Sequence, residues 1–513
     1  MNWKKETDEI KLRKKLAKRQ GGREAISLQH AKGRLTLRER IDKLADKGSF
    51  REQGEIAGYS EKDEKGQIKS VVPANFILGF AKINKRQVII GGEDFTVRGG
   101  SPNPAGLRKS VYTEELAINY KVPLIRLHEG GGGSVAGTSK KKGGYGGDPV
   151  FSKSRFKSIA DSLREVPVIS AALGPVAGLP AARFVSSHFR IMTKKTAQIL
   201  VAGPAIVERA FGKKITKEEL GGSHVHSMNG VTDNVAETEK DAFMQIKNFL
   251  SYFPQSVHEL TPRGKAYDNK KDNQDILMDI IPKDRKKSYE MREIINSIVD
   301  NNSFFEMTKF FGRGIITGFA RIDGYAVGVL ANDSNFYAGS MSAQGARKTT
   351  RFVKLCNTFH LPIISLVDEP GFLIGSDAEL EATILHGAEA VLAVAETEVP
   401  WATIMIRKSF GVAAAAHYGP NGYVLAWPSA ESGPLPLEGG VAVAFKKEIE
   451  ASDNPEVKRK EIEKKMSKQQ NPFPRAESFS VHEIIDPRET SAYLREWVER
   501  IQPQLKAKVL TAK

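Results

Sequence analysis

The chain has 513 residues, with Lys+Arg 77 against Asp+Glu 61 and a formal net charge of +16. A single hydrophobic core rarely grows past about 250–300 residues, so at least two domains are expected, and 40% hydrophobic residues exclude wholesale disorder. One cysteine, Cys356, excludes a disulfide scaffold or a four-cysteine zinc ribbon, and no apolar run of about 18 residues exists to form a membrane-spanning helix. The opening MNWKKETDEIKLRKK has no apolar core, does not read as a signal peptide, and a cytoplasmic location is expected.

Residues 1–40 hold 13 Lys/Arg and 5 Asp/Glu, a net of +8, which is half of the excess. No aromatics interleave with the basic run at 11–23, so no base-stacking platform is indicated and a solvated basic helix is expected. Next come two short apolar strands joined by a turn (76–83 and 87–91), a Gly-Ser loop and a helix. A buried strand (124–127), a glycine loop, another helix and an apolar strand (168–173) follow. The same order returns downstream as strands at 314–322 and 326–331, a helix at 343–358, and strands at 363–367 and 401–406. In that helix Phe352, Leu355, Cys356 and Phe359 share one face, which makes Cys356 a packing residue. Between the halves, 254–287 is polar and reads as a surface linker.

The two halves also align residue by residue. GFAKINKRQVIIGGEDFTVRGGS (79–101) matches GFARIDGYAVGVLANDSNFYAGS (318–340) at 8 of 23 positions with a constant offset of 239. That offset holds at Pro123/Pro362 and becomes 233 at Val166/Val399 and Gly178/Gly411. A period this long is a duplicated domain rather than a solenoid. Two homologous α/β domains are expected, over 1–258 and 259–513, with sites at their strand ends.

Four stretches concentrate backbone N–H groups: 129–133 with Ser134, the GPVAG of 174–178, the EPGFLIG of 369–375, and the FGVAAAA of 410–416. Glycine lets the backbone approach a ligand, and successive N–H groups at a helix start suit an anion or oxyanion. The run 413–416 is expected to begin a helix aimed at such a site. Each turn alone is common in α/β proteins; their recurrence at matching positions points to two paired oxyanion sites that need no catalytic side chain. No GxxxxGK[ST] loop, ordered GxGxxG or Ser/His/Asp spacing occurs. His224 and His226 lack a nearby carboxylate cluster and read as a hydrogen-bonded turn.

Longer motifs carry a resemblance. They are AKGRLTLRERIDKLADKGSF (31–50), EDFTVRGGS, GGYGG (143–147), GPVAG, and VAGPAIVERAFGKKITKEELGGSHVH (201–226) in the first half. YEMREIINSIVDNNSFFE (289–306), DEPGFLIG, RKSFG, LAWPSAE (425–431) and NPFPRAESFSVHEIIDPRET (471–490) follow in the second. In this order they resemble the carboxyltransferase (beta) subunits of biotin-dependent acyl-CoA carboxylases, the propionyl-CoA and methylcrotonyl-CoA carboxylase beta-chain family. The resemblance implies two crotonase-like (ClpP/crotonase) spiral domains of repeated β-β-α units. It implies a hexamer with active sites at dimer interfaces. It also implies a partner (alpha) subunit carrying the biotin carboxylase and biotin carboxyl carrier functions, since this chain has neither an Ala-Met-Lys-Met biotin motif nor an ATP-grasp region. No metal on this chain and no nucleic-acid partner are expected.

By the same resemblance, CO2 passes from carboxybiotin to the α-carbon of an acyl-CoA through a thioester enolate. Carried over by position, Gly178 and Leu179 form the first oxyanion hole, and Gly411, Val412 and Ala413 the second. Gly131, Gly132, Gly133, Gly371, Phe372, Ala414 and Ala415 are expected to bind substrate. The chain departs from the family at these positions. The usual AGGA is Ala177-Gly178-Leu179-Pro180, and YGGAY is Phe410-Gly411-Val412-Ala413-Ala414. SGGAR is replaced by residues 130–134, and DVPGF by 368–372. Pro180 has no N–H to donate. Ala414 and Ala415 remove bulk, which points to a wider acyl group. Two other readings stay open: the transferase of a decarboxylase or transcarboxylase, and a non-catalytic paralogue or nucleic-acid-binding scaffold.

Overall fold

A two-residue turn with both residues at positive φ starts the sheet of each half: Asn84 (49°) and Lys85 (67°), and 239 positions on, Asp323 (48°) and Gly324 (77°). Such turns match the right-handed twist of the strands they join, so the hairpins close without splaying. The computed structural model describes residues 2–132, 156–266 and 274–511, which form two units, Met1–Val257 and His258–Lys513.

The strands of the first unit are β1 (Arg51–Glu52), β2 (Gly58–Lys62), β3 (Ile68–Pro73), β4 (Phe76–Ile83), β5 (Arg86–Glu93), β6 (Leu124–Gly130), β7 (Val168–Ala177), β8 (Phe189–Thr193), β9 (Gln198–Leu200) and β10 (Asn234–Ala236). β2 and β3 pair separately; the others build one sheet in the order β1-β4-β5-β6-β7-β8-β10, with β9 beside β7. The second unit has β11 (Phe305–Met307), β12 (Ile315–Ile322), β13 (Tyr325–Asn332), β14 (Ile363–Glu369), β15 (Trp401–Phe410), β16 (Tyr423–Ala426), β17 (Glu431–Gly433) and β18 (Glu483–Ile484). Their order is β11-β12-β13-β14-β15-β16-β18, with β17 beside β15. Every strand of one eight-stranded sheet thus has its counterpart in the other, the β2-β3 pair standing apart, and the α/β architecture inferred from the repeat is present in both.

In each sheet the first two pairings are antiparallel and the rest parallel. Parallel neighbours need crossovers, and helices supply them. Pro104–Tyr120 joins β5 to β6, and Ala343–Thr358 joins β13 to β14. Asn103 caps the first through its Oδ1, 2.7 Å from the Gly106 N–H, and Ser342 caps the second, 3.1 Å from the Gly345 N–H. Phe352 and Cys356 turn toward the sheet as their periodicity predicts, with Phe352 5.5 Å from the Phe319 ring and the Cys356 thiol fully buried. Burial pushes that thiol well above its ordinary pKa, so it packs and does not react.

Two expectations change. The segment at 254–287 is not simply a surface linker: Leu277 is 1% exposed and lies in the core of the second unit with Ile294, Ile298 and Trp427. The strands at 168–173 and 401–406 each run four residues further, because β9 and β17 give their ends a partner. The N-terminal basic segment is a helix, Lys4–Ala17, buried only at Ala17. Among the described residues no helix is long and apolar enough to cross a membrane.

The crossover helices carry one pair of buried cations at equivalent positions. Lys348 Nζ donates to the carbonyls of Thr308, Phe311 and Ile315 at 2.9, 3.2 and 2.6 Å. Lys109 Nζ donates to Gly54 O at 3.2 Å. Burial lowers the Lys109 pKa from 10.5 to about 8. Between these values the unfolded chain binds more protons than the native one, so stability rises with pH. Unfolding in urea from pH 7 to 10.5 should show wild type gaining on Lys109→Met by up to ~3 kcal/mol above pH 8; a pH-independent difference between the two would contradict this.

Candidate active site

The sites form where β6 and β7, and β14 and β15, end. Here the strands lose register at equivalent points, between His128 and Gly130 and between Val367 and Glu369. A bulge re-aims the side chain it contains. The bulged residues are Glu129 and Asp368, both fully buried. Arg40 Nη1 and Arg34 Nη1 each stand 2.6 Å from the Glu129 carboxylate. Arg40 also grips Glu239 through Nε and Nη2 at 2.9 and 2.8 Å. Burial works against the Arg40 charge, but Glu129 and Glu239 outweigh it and hold the guanidinium above its ordinary pKa. Asp368 instead accepts from Arg407 Nη2 at 2.9 Å, from Tyr289 OH at 3.0 Å and from the Lys408 N–H at 3.0 Å.

Beyond the bulges the chain reaches the glycines singled out by sequence. Only Gly178 of the GPVAG stretch is a turn; the other four residues, 174–177, belong to β7. Gly178 has φ 66°, ψ −134° and caps the helix Leu179–Val185. Gly411 has φ 64°, ψ −164° and caps the 3-10 helix Val412–His417. Both conformations lie in the positive-φ, extended-ψ region that only glycine occupies at low cost. In the first helix the opening bond runs from the Ala182 N–H to the Gly178 carbonyl at 3.0 Å. The N–H groups ahead of it, on Leu179 and Ala181, have no helical acceptor; Pro180, which is buried, contributes none. The Val412 and Ala413 N–H groups stand likewise at the start of their turn. Gly178 is exposed and Val412 is 67% exposed, while Pro180 and Ala413 beside them are buried, so each first turn lies at the edge of the core.

The predicted substrate residues fall unequally. Gly132 crosses directly over Gly178, where a Cβ on Gly178 would stand 2.8 Å from the Gly132 Cα, while Gly131 lies against Ser101 and Gly99. The Gly131 N–H donates to the Gly99 carbonyl at 3.1 Å, which fixes this crossing. Gly133, with Ser134 and the GGYGG at 143–147, lies outside the described residues. In the second unit the equivalent approach is absent. Gly371 (φ 134°) has open space where its Cβ would be, and the nearest atom to a Cβ on Gly411 is the Pro434 carbonyl at 3.4 Å. Phe372 bridges to Met341 and lies over Gly387, where a Cβ would come 2.4 Å from its ring. Ala413 and Ala414 are buried, while Ala415 is exposed. The run 413–416 does form a helical turn, of 3-10 type.

Sequence reading passed over Arg34, Arg40, Glu239 and Arg407 as site-supporting residues. Three of them sit inside motifs that carried the family resemblance (31–50 and RKSFG), but their pairing across as many as 199 positions has no local signal. His226 bonds the Ile199 carbonyl at 2.8 Å and His224 faces Glu218 at 3.5 Å, but both lie in the short helix Ser223–Met228 and not in the hydrogen-bonded turn expected of them. Among the described residues no group of three His, Cys, Asp or Glu side chains is arranged to hold a metal.

The carboxyltransferase subunit of propionyl-CoA carboxylase from Haloferax mediterranei is 33% identical over 490 residues, covering 94% of this chain and 93% of that protein. Subunit alpha of methylmalonyl-CoA decarboxylase from Veillonella parvula is 31% identical and covers 93% and 92%. The crystal structure of transcarboxylase 12S, a hexamer assembly with methylmalonyl-coenzyme A and methylmalonic acid bound, superposes with a TM-score of 0.86 at 30% identity, over 96% of this chain and 94% of that one. The model of the carboxyl transferase domain matches residues 28–506. With paired strand-end turns in two crotonase-like units and likeness over nearly its whole length, the chain belongs to the carboxyl transferase domain family and is a carboxyltransferase of the acyl-CoA carboxylase and transcarboxylase kind.

Proposed function

We propose that this chain is the transferase subunit of a biotin-dependent acyl-CoA carboxylase, and that its two glycine-capped turns hold the two oxyanions of the reaction. The observation that carries the reading is the shared backbone geometry of Gly178 and Gly411, each followed by N–H groups without a helical acceptor. Carboxybiotin, brought by a partner subunit, supplies the CO2 and the acceptor for the α-proton. This chain supplies donors placed before the charge appears, which is the main way a protein stabilises an enolate without a side-chain base. Gly178 and the Leu179 N–H suit the thioester oxygen. Gly132, which packs against Gly178, is assigned with Gly131 to substrate binding beside that position. Gly411 and the N–H groups of Val412 and Ala413, which open the 3-10 turn ahead of its first hydrogen bond, suit the ureido oxygen of biotin. Gly371, Phe372, Ala414 and Ala415 line the same strand ends and are assigned to substrate binding. The partner is a subunit bearing the biotin carboxylase and biotin carrier, and a hexamer is the assembly supported by the transcarboxylase 12S likeness.

Because methylmalonyl-CoA decarboxylase is also a relative, the reverse direction is the second reading. The chain co-purified with its biotin-bearing partner should fix labelled bicarbonate into a short or branched acyl-CoA with ATP. Absence of incorporation across short, branched and long acyl-CoAs, with release of CO2 from a malonyl-type thioester, would move the assignment to a decarboxylase.

The glycines give a second test with an internal control. Gly411→Ala introduces strain alone and should cost about 1–3 kcal/mol. Gly178→Ala adds the collision with Gly132 and should cost more in urea unfolding. Each should lower kcat about 100-fold, the scale of losing one oxyanion donor. Equal stability losses together with unchanged kcat would argue against both the geometry and the role.

A further inference from the structure

The helices Arg23–Ala31 and Leu37–Leu44 precede the sheet of the first unit in sequence, yet three of their region's polar side chains end beneath its site. Gln29, Arg34 and Arg40 are 3%, 6% and 1% exposed. All three converge on one carboxylate. Gln29 Nε2 donates to Glu129 Oε2 at 2.6 Å, Arg40 Nη1 stands 2.6 Å from the same oxygen, and Arg34 Nη1 stands 2.6 Å from Oε1. A capping box at Thr36 and Glu39 sets the helix that aims Arg40 inward, with the Thr36 N–H 2.7 Å from the Glu39 carboxylate.

Glu129 touches both walls of the site. Its backbone runs on directly into Gly130, Gly131 and Gly132, and the last of these crosses Gly178. Its carboxylate lies on the Cα of Gly174 in β7, where a Cβ would come within 2.4 Å of it. Arg40 Nη2 reaches the neighbouring Leu173 carbonyl at 3.3 Å. One ion-pair cluster therefore ties the end of β6 to the stretch of β7 that leads into the Gly178 turn. Gln29, Arg34, Arg40 and Glu129 are all buried, and all lie within the first unit.

The second unit has the same carboxylate without this tether. Its bulge residue, Asp368, is neutralised by Arg407 from the adjacent strand, at the position equivalent to Gly174. The first unit has glycine in place of that local cation and draws its charge from Arg34 and Arg40, more than 80 positions away in sequence. That arrangement makes the crossing of the 131–132 backbone over Gly178 dependent on the N-terminal helices.

We propose that Arg34 and Arg40, with Gln29 and acting through Glu129, are positioning residues that hold the 131–132 backbone at its distance from the Gly178 turn. The effect on turnover rests on the reading of that turn as the thioester-enolate site; the effect on backbone order does not. The test uses the full chain with its biotin-bearing partner, as wild type, Arg34→Met, Arg34→Lys and Gln29→Met. Gln29→Met removes a neutral donor and leaves both arginines, so it remains informative where Arg34→Met does not fold.

Amide hydrogen exchange is read first. Exchange at 124–132 and 178–182 should accelerate at least about tenfold in Arg34→Met and by roughly threefold in Gln29→Met, with the rest of the first sheet unchanged. Acceleration spread evenly over the unit, or none at those two segments in either methionine variant, overturns the proposal. In carboxyl transfer, kcat should fall by at least about tenfold in Arg34→Met, since misplacing a reacting group by an ångström costs up to about 100-fold. The KM for acyl-CoA should stay within about twofold, and Arg34→Lys should recover most of the kcat. Unchanged kcat in an active complex overturns the positioning role. A wild-type complex that transfers no carboxyl group overturns the function assignment alone, and the exchange data still decide the tether.

Discussion

A buried carboxylate at a strand bulge is the constraint around which each site is built. Glu129 and Asp368 occupy the same position in the two repeats, and both are fully removed from water. A lone carboxylate there would cost several kcal/mol, so each must be met by cations and N–H donors of good geometry. Meeting that demand fixes where β6 and β14 stop and where the glycine segments after them begin. It also fixes what can stand on the neighbouring strand. Position 174 is glycine because the longer Glu129 side chain takes the space of a Cβ. Its counterpart is Arg407, because Asp368 is one methylene shorter and leaves room for a guanidinium.

The duplicated domain has therefore kept its backbone and exchanged the side chains beneath it. A second buried acid shows the same pattern. In the first unit Glu93, at the end of β5, pairs with His128 at 3.1 Å. The second unit has Asn332 at that position and carries its acid at Glu369, where the first has Gly130. Glu369 lies 3.5 Å from His417 at the end of the 3-10 turn and accepts the Gly371 and Met341 N–H groups at 3.0 and 3.3 Å. Burial pushes the Glu369 carboxyl up, while His417 takes the part that His128 plays for Glu93, from a 3-10 turn instead of a strand. The first site is thus braced from the N-terminal helices, and the second from within its own strand-end loops. Two turns of one backbone geometry in different polar surroundings support the reading that they serve two chemically different oxygens.

Much of this was legible along the chain. The offset of 239 residues, closing to 233, announced a duplication, and apolar runs located the central strands and the helix Ala343–Thr358. Gly178 and Gly411 could be named as turn residues because their conformations admit little but glycine. Local sequence is sufficient wherever the deciding force is local: a side chain's periodicity, a cap, a forbidden φ. The ends of β7 and β15 are not legible locally, because Gly174-Pro175 suggests a turn in one and the charged Arg407-Lys408 interrupts the apolar run in the other; only pairing with β9 and β17 makes those residues strand. Leu277 reads as linker because its neighbours are polar; the core that buries it is assembled from segments as distant in sequence as Leu505.

The amino-acid sequence by itself determined that this protein is a doubled α/β transferase with a glycine-capped turn at the same place in each half. Those features depend on backbone freedom and apolar spacing, which each residue carries with it. Only the tertiary structure decided what holds the turns in place: Arg34, Arg40 and Glu239 around Glu129 in one unit, Arg407 and Tyr289 around Asp368 in the other. Charge pairing across long stretches of chain has no period and no neighbour rule. An arginine bound for the core is written in the same way as one bound for water until the fold brings its carboxylate within reach.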